Sequence, residues 1–372
     1  MRVLIVGAGI AGLATAWALV RRGAEVEVFD RGPIPHPLAA SNDSHRIIRP
    51  FYPDEPGYAR MALDALPAWD ELWGDLGEEL LVPCGALALS RAPGDWADRA
   101  RATLDRIGYA PEILSPAAVA ERLPFLEMDG LRWGLFSPDG GALLADRILA
   151  ALARWLRGRG VALHAERPVA AVEAEAGLLR LADGETVRGD RIVVAAGAWA
   201  AGLLPLPDLP LTPLRQCVVY AEPPAGHAAA WAEAPALVDL GHPDGHYAIP
   251  PVAGTGLKLA VSDHAAPGAP DANRLPAPGE PEAVLARFEG LLRRWPDYRV
   301  ISARTCCYTM APDSRFVAWP VGRAWLLSAC SGHGFKFGAL LGRAVAATLL
   351  GGRKPAGLTR WAAGLEEDLT WP

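Results

Sequence analysis

Cysteine is scarce in this chain, and its placement argues against two common uses of the residue. The 372 residues contain five cysteines, an odd number, at scattered positions: Cys84, Cys217, Cys306, Cys307 and Cys330. Such a set argues against a disulfide framework and is typical of a protein in a reducing cytosol. No C-x-x-C pair and no cysteine–histidine cluster has the spacing of zinc ligands, so we expect no metal site.

An excess of positive charge is also missing, and so is any long apolar run. The chain has 36 basic and 42 acidic residues, so nucleic acid is not an expected partner. The longest apolar helix candidate, residues 339–350, is interrupted by Arg343 and is too short to span a bilayer. The first residues lack the ordered regions of a signal peptide. We therefore expect a cytoplasmic protein with no membrane partner.

The N-terminal segment has the pattern of a β-strand, a helix and a second β-strand. Residues 2–6 predict a buried strand, residues 10–22 an alanine- and leucine-rich helix, and residues 25–29 a second strand. This order is typical of the opening unit of a dinucleotide-binding domain.

A G-x-G-x-x-G motif lies between the first strand and the helix, formed by Gly7, Gly9 and Gly12. The three glycines allow a tight turn, close approach of the backbone to a pyrophosphate, and close packing of the helix on the strand. Asp30, directly after the second strand, is placed to accept hydrogen bonds from a ribose diol. The motif predicts dinucleotide binding but does not distinguish NAD from FAD.

A change of texture along the chain predicts a second domain. Proline, aromatic residues and short alternating runs indicate an antiparallel sheet inserted twice, over residues 81–141 and 211–312. The nucleotide-binding domain is assigned the remaining segments, residues 1–80, 142–210 and 313–372. Further elements are predicted in chain order: a helix at 142–157, a strand at 161–165, a hairpin at 169–181, a strand at 191–196, a loop at 265–281 and a helix at 335–350. The predicted fold class is α/β, a Rossmann-like domain with an inserted antiparallel-sheet substrate domain.

Several later segments match one family in the same order along the chain. They are Ser41–Tyr52, Val193–Trp199, Gly256–Leu259, Thr305–Thr309 with Pro312-Asp313, and Ser331–Phe337. On these segments the chain resembles the monomeric sarcosine oxidase family of D-amino-acid-oxidase-like flavoproteins, which includes N-methyltryptophan oxidase and pipecolate oxidase. The resemblance covers nearly the whole chain and implies that the bound dinucleotide is FAD.

The resemblance also implies roles for individual residues. Cys306 matches the cysteine that bonds covalently to the flavin, and Lys258 matches the lysine near flavin N5 where oxygen is activated. Arg49 and Lys336 match the pair that binds the substrate carboxylate. Arg46 matches an arginine beside the flavin ring. Substrate-pocket positions correspond to Tyr247, His333 and Tyr308, and further cofactor contacts are expected at Ser41, Val169, Gly197, Gly332 and Gly334, together with Arg46 and Lys336.

The residues themselves support part of this assignment. The isoleucines between Arg46 and Arg49 would draw both arginines inward, where a guanidinium needs an anion; solvated surface arginines are the alternative. Neighbouring side chains of a strand point to opposite faces, so only one of Cys306 and Cys307 can reach a flavin edge. Lys258 lies in an apolar strand, where an unpaired ammonium is costly; an edge lysine reaching solvent is the alternative.

Some positions depart from the family pattern. His45 stands where threonine or serine is usual, and Asn42-Asp43 replaces a histidine–glycine pair. Val238 stands in place of a methionine, and Ser262 in place of a pocket histidine, with His264 displaced from that position. We expect these changes to affect the choice of substrate more than the reaction.

The function that we predict is FAD-dependent oxidation of a secondary or N-alkylated amino acid, giving an imine and hydrogen peroxide. The expected partners are the small amino acid and molecular oxygen, and the expected state is a monomer. Three alternatives stay open: an amino acid dehydrogenase with another electron acceptor, an aromatic hydroxylase that uses FAD and NADPH, and a nucleotide-binding module without catalysis.

Overall fold

A computed structural model describes the chain except residues 205–209, 242–244, 263–264, 329–330, 353, 367–370 and 372. The strands are β1 (Arg2–Val6), β2 (Glu25–Phe29), β3 (Arg46–Ile48), β4 (Leu81–Val82), β5 (Ala86–Ser90), β6 (Glu112–Leu114), β7 (Trp133–Ser137), β8 (Gly141–Leu143), β9 (Ala162–His164), β10 (Val169–Glu173), β11 (Leu178–Leu181), β12 (Thr186–Arg188), β13 (Arg191–Val194), β14 (Thr212–Glu222), β15 (Ala236–Asp239), β16 (His246–Ile249), β17 (Leu257–Val261), β18 (Ala266–Pro267), β19 (Arg299–Met310), β20 (Val317–Val321) and β21 (Ala324–Ser328).

The helices alternate with these strands along much of the chain. They are α1 (Ile10–Val20), α2 (Pro56–Leu76), α3 (Trp96–Arg106), α4 (Pro116–Arg122), α5 (Ala145–Gly158), α6 (Ala200–Leu203), α7 (Ala225–Ala232), α8 (Glu280–Ala286), α9 (Gly338–Leu349) and α10 (Pro355–Ala362). Within the described residues, no helix is both long and apolar enough to cross a membrane.

The first large sheet has six strands in the order β20-β21-β13-β1-β2-β9. All neighbours are parallel except β20 and β21. In β1 the four residues after Arg2 are buried, as expected for a strand covered on both faces. Helices α1, α5 and α9 pack beside this sheet and share one apolar core. The parallel sheet with packed helices confirms the predicted α/β class and the dinucleotide-binding opening unit.

The second large sheet has nine strands, in the order β18-β14-β17-β16-β15-β5-β7-β6, with β19 paired to β14. Its strands come from two stretches of the chain, and all neighbours are antiparallel except β15 and β5. One face packs on its own apolar core around Phe125, Trp231 and Phe288. The other face bears Val218, Tyr220 and Ala260. It faces the loop before β3, where the Tyr220 hydroxyl donates to Asp43.

Two predicted helices begin later than expected. The prediction over residues 142–157 was wrong at its start, because Gly141–Leu143 pairs with both β3 and β4 and only the following residues form a helix. Local apolar periodicity does not reveal such a cross-strand pairing. At the C-terminal end, residues 335–337 form a 3-10 turn and α9 starts at Gly338, so Lys336 lies before the helix rather than in its first turn.

Candidate active site

A cavity of about 1100 Å³ lies between the two large sheets. All of the sequence-predicted site residues except Gly12 line it: Gly7, Gly9, Asp30, Ser41, Arg46, Arg49, Val169, Gly197, Tyr247, Lys258, Cys306, Tyr308, Gly332, His333, Gly334 and Lys336. These residues come from distant parts of the chain, so the fold brings the whole set to one space. Their individual roles remain predictions.

The turn from β1 into α1 forms one end of the cavity. Glycine is required there because a side chain would clash with the neighbouring backbone. Gly7 has a φ of +105°, and a Cβ there would lie 2.5 Å from the Ala195 carbonyl oxygen. A Cβ on Gly12 would lie 1.9 Å from the Gly7 oxygen, so any larger residue would separate α1 from β1. Gly9 and the first residues of α1 therefore line the cavity, where a helix N-terminus favours an anionic group such as a pyrophosphate.

Two side chains complete this end of the cavity. The Asp30 carboxylate accepts hydrogen bonds from the backbone N–H of Ala8 at 2.7 Å and of Gly32 at 3.0 Å, which holds it at the end of β2. The Ser41 hydroxyl accepts one from the N–H of Ile10 at 3.0 Å. The glycine turn, the fixed carboxylate and the cavity volume of about 1100 Å³ fit a dinucleotide such as FAD.

The wall opposite the glycine turn is the inner face of the nine-stranded sheet. Strand β19 lies along β14 with Cys306 opposite Gln216, and the burial along β19 alternates. Cys306 is half-buried on the cavity side and Cys307 is buried. Burial raises the pKa of the Cys306 thiol and Arg46 lowers it, with burial the larger influence.

Lys258 on β17 lies in the same wall. It is paired with Asp43, which the sequence analysis noted only as a departure from the family pattern. The Lys258 ammonium donates a hydrogen bond of 2.5 Å to Asp43 and one of 3.2 Å to the His45 carbonyl oxygen. Asp43 also binds the Arg46 guanidinium and accepts from the Tyr220 hydroxyl. One buried carboxylate therefore joins two cavity cations, and the only hint in the sequence is an acid three positions before Arg46.

A second pair of cations lies beyond this cluster. Lys336 donates hydrogen bonds to the Tyr52 oxygen at 3.0 Å and to the His333 carbonyl oxygen at 2.9 Å. The Tyr52 hydroxyl in turn donates to Nδ1 of His333 at 3.0 Å. The Arg49 guanidinium lies 5.1 Å from the ring centres of both Tyr52 and Trp96. Tyr52 and Trp96 were not predicted as site residues, because aromatic residues are usually core.

Charge is not balanced at this second pair. Among the residues that the structure describes, neither Arg49 nor Lys336 has a carboxylate within ion-pair distance, although Lys336 is buried and Arg49 is half-buried in the cavity wall. Burial, and then the charge of Arg49, holds the pKa of Lys336 well below its usual range. Burial and Lys336 likewise hold the pKa of His333 well below its usual value. Such a site favours an incoming anion.

Two of the positions that depart from the family pattern lie on the cavity wall. Val238 and Ser262 line it, whereas His264 and Cys330 fall outside the described residues. His45 is fully buried against the Tyr220 ring, and burial lowers its pKa to about 4, so it is neutral at physiological pH. Burial raises the pKa of Tyr247 above its usual value, which keeps that phenol protonated.

The glycine turn, Asp30 and the cavity beside them fit a flavin-type dinucleotide, and comparison with known proteins agrees. Residues 2–348 match the DAO family, FAD dependent oxidoreductase, and the chain belongs to that family. It is 26% identical to N-methyl-L-tryptophan oxidase of Yersinia pestis over 351 residues, 92% of this chain and 93% of the relative. The resemblance stated from the sequence is thereby confirmed, as is the assignment of an FAD-dependent enzyme.

Solved structures show the same fold. L-proline dehydrogenase from P. horikoshii has a TM-score of 0.84 at 18% identity, with 98% of this chain and 96% of that chain covered. NikD, an amino acid oxidase essential for nikkomycin biosynthesis, has a TM-score of 0.79 at 21% identity, with 96% of each chain covered.

Proposed function

We propose that this protein oxidises a secondary or N-alkylated amino acid with FAD and passes the electrons to oxygen. The observation that carries the proposal is the pair Arg49 and Lys336, two basic side chains with no carboxylate partner among the described residues, on the wall of a cavity that fits a dinucleotide. A substrate carboxylate supplies the missing negative charge, and a guanidinium binds it through two parallel hydrogen bonds. The relatives named for their substrates act on amino acids, which is consistent with this choice.

The cofactor that fits the cavity, FAD, would supply the redox chemistry: the amino acid loses two electrons and two protons to become an imine, and oxygen takes up two electrons and two protons to become hydrogen peroxide. The side chains bind and orient. Arg49 and Lys336 hold the carboxylate, which fixes the carbon to be oxidised, and Lys258 places a positive charge where negative charge develops on oxygen.

Tyr247 stays protonated and Lys258 is paired with Asp43, and both ring nitrogens of His333 face protein partners, Tyr52 and Ser314, so none of these three is suited to remove a proton from the amine. The amine therefore enters neutral.

Attachment of the flavin through Cys306 is part of the proposal. Its support is the alternation along β19: both cysteines border the cavity, but Cys306 is half-buried, like Tyr308 and Met310 on the same face, whereas Cys307 is buried. We expect acid-denatured protein to retain the flavin, Cys306→Ala to release all of it, and Cys307→Ala to retain it. Intact-mass analysis makes the measurement, and a wild-type mass equal to that of the bare polypeptide would exclude the bond.

We also propose that the protein is a monomer and that it lies in the cytosol. None of the described cysteines forms a disulfide, which is consistent with a reducing compartment.

The experiment that tests the function is anaerobic bleaching of the flavin by a panel of secondary and N-alkylated amino acids, each paired with the amine that lacks its carboxylate. The proposal expects bleaching by the amino acid and slow reaction of the decarboxylated amine. Equal rates for both members of a pair would contradict a carboxylate-binding role and favour a plain amine oxidase. Peroxide formed per turnover in air then separates an oxidase from a dehydrogenase.

A further inference from the structure

We propose that Asp43 is a positioning residue for Lys258: its buried carboxylate fixes the place of the Lys258 ammonium on the cavity wall and balances its charge. The inference depends on the proposed function only for what Lys258 does to oxygen. Asp43 does not itself line the cavity, whereas Lys258 and Arg46 do, so it acts on the reaction through them.

The contacts of Asp43 are those of a built counter-anion. The residue is 2% exposed, and each carboxylate oxygen is engaged. One oxygen accepts from Lys258 at 2.5 Å and from Arg46; the other accepts from the Tyr220 hydroxyl and from the Ser44 N–H, the latter at 2.9 Å. A buried carboxylate with this many donors stays ionised, and the pKa of Asp43 lies far below its usual value.

The groups around Lys258 explain why it needs this partner. They come from several elements packed on β17 and its neighbours: Asp43 and His45 from the loop before β3, Arg46 from β3, Tyr220 from β14, Tyr247 from β16, and Arg304 and Cys306 from β19. Asp43 is the carboxylate among them. Burial first, and then Arg46, lower the pKa of Lys258 to about 8, while Asp43 opposes both. Without Asp43, the Lys258 ammonium and the guanidinium groups of Arg46 and Arg304 would share the site with no carboxylate between them.

The second buried lysine shows what happens without a carboxylate. Lys336 lies on the wall of the same cavity, is buried to a similar degree and also has an arginine nearby. It donates only to neutral oxygens, and its pKa is held well below the usual range with nothing to raise it. The two lysines thus differ in Asp43, and the comparison assigns to Asp43 the charged state of Lys258 at neutral pH.

A direct test measures the protonation of the lysines in the flavin-loaded enzyme. The chain has three lysines, Lys258, Lys336 and Lys354, so side-chain isotope labelling of lysine gives three NMR signals. Lys354 is exposed and serves as the reference, and Lys258→Met and Lys336→Arg assign the other two. In wild type we expect the Lys258 signal to lose its proton at about pH 8.

Asp43→Asn keeps the shape of the side chain and removes its charge, so the Lys258 transition should move to a pH about 1 to 3 lower. Tyr220→Phe removes a donor to Asp43 but leaves the charge, and it should move the transition by less than about 0.5. An unchanged Lys258 transition in Asp43→Asn would overturn the proposal. If Asp43→Asn does not fold, the wild-type enzyme alone tests the proposal. A Lys258 transition at a pH as low as that of the Lys336 transition would also overturn the proposal.

A second measurement separates this inference from the proposed function. The rate of flavin reoxidation by oxygen should fall at high pH, and Asp43→Asn should move that fall to lower pH by the same amount as the NMR transition. At a pH above both transitions, lowering the Lys258 transition by about one pH unit reduces the protonated fraction of Lys258 about tenfold. If Lys258→Met leaves reoxidation unchanged, the oxygen role of Lys258 is wrong while the NMR result for Asp43 stands. If Lys258→Met slows reoxidation but Asp43→Asn does not move the pH at which reoxidation falls, the inference about Asp43 fails and the role of Lys258 toward oxygen remains.

Discussion

Two pairs of cations line one cavity, and they differ in what balances their charge. Arg46 and Lys258 share the buried carboxylate of Asp43, whereas Arg49 and Lys336 have only neutral oxygens and aromatic rings around them. The protein itself supplies one carboxylate to the first pair, whereas the second gains a negative partner when an anion binds. A cation held in place by a carboxylate can stabilise negative charge that develops on the reacting atoms. Basic side chains without a carboxylate partner attract an anionic ligand. The difference supports the proposed division between a catalytic cation, Lys258, and a substrate-binding pair, Arg49 and Lys336.

Removing the charge of Lys258 gives the largest expected effect. Lys258→Met should slow reoxidation of the reduced flavin by about a hundredfold or more, since one well-placed electrostatic contact contributes that much to a transition state. Anaerobic reduction by substrate should change far less, because the carboxylate-binding pair is intact. Stopped-flow spectroscopy of the two half-reactions makes the comparison. Equal losses in both would mean that Lys258 is structural or binds substrate, and the division between the two pairs would fail.

Arg49→Ala tests the other pair. Each charge-assisted hydrogen bond contributes about 1.5–3 kcal/mol, so the dissociation constant for an amino acid or a simple carboxylate should rise about tenfold to a hundredfold. Flavin reduction should slow as well, because the substrate loses its orientation. Reoxidation by oxygen should stay near the wild-type rate. A spectral titration with carboxylate inhibitors measures the affinity; an unchanged value would remove the main support for an amino acid substrate.

The sequence predicts these pairs to different degrees, for physical reasons. The glycine motif and its flanking strands follow from local patterns, and the alternation of Cys306 and Cys307 follows from strand geometry. The pairing of Asp43 with Lys258 spans 215 positions and depends on how a loop meets the inner face of a sheet, which no local pattern encodes. Tyr52 and Trp96 likewise gain their place beside Arg49 only from tertiary packing.

The pH dependence of carboxylate binding sharpens the contrast. Before a carboxylate binds, the pKa of Lys336 is well below its usual range, and the bound carboxylate raises it, so binding takes up a proton. Affinity is therefore full below the pKa of the free enzyme and falls as pH rises above it, by about tenfold per pH unit, until the pKa of the complex is reached. A carboxylate without an amine isolates this behaviour.

Lys336→Arg is the matched control for the pH experiment. A guanidinium stays charged across the accessible range, so affinity for the same carboxylate should lose its pH dependence in this variant. Asp43→Asn, which alters only the other pair, should keep the wild-type dependence. If wild-type affinity does not vary with pH, Lys336 is charged before the carboxylate binds, and the second pair does not differ from the first in the way described.

The smallest expected effect comes from two tyrosines, one beside each pair. Tyr52→Phe keeps the ring next to Arg49 but removes the oxygen that accepts from Lys336 and donates to His333. A hydrogen bond of this kind contributes about 0.5–1.5 kcal/mol, so carboxylate binding should weaken by about two- to tenfold, and most at high pH, where Lys336 depends most on an acceptor. Tyr220→Phe removes the equivalent hydroxyl from the Asp43 cluster and should leave carboxylate binding unchanged. Spectral titrations of both variants against one inhibitor, at two pH values, make the comparison. A similar loss of affinity in both would mean that the two cation pairs respond as one electrostatic unit, because a hydroxyl near Lys258 would then control binding at Arg49 and Lys336.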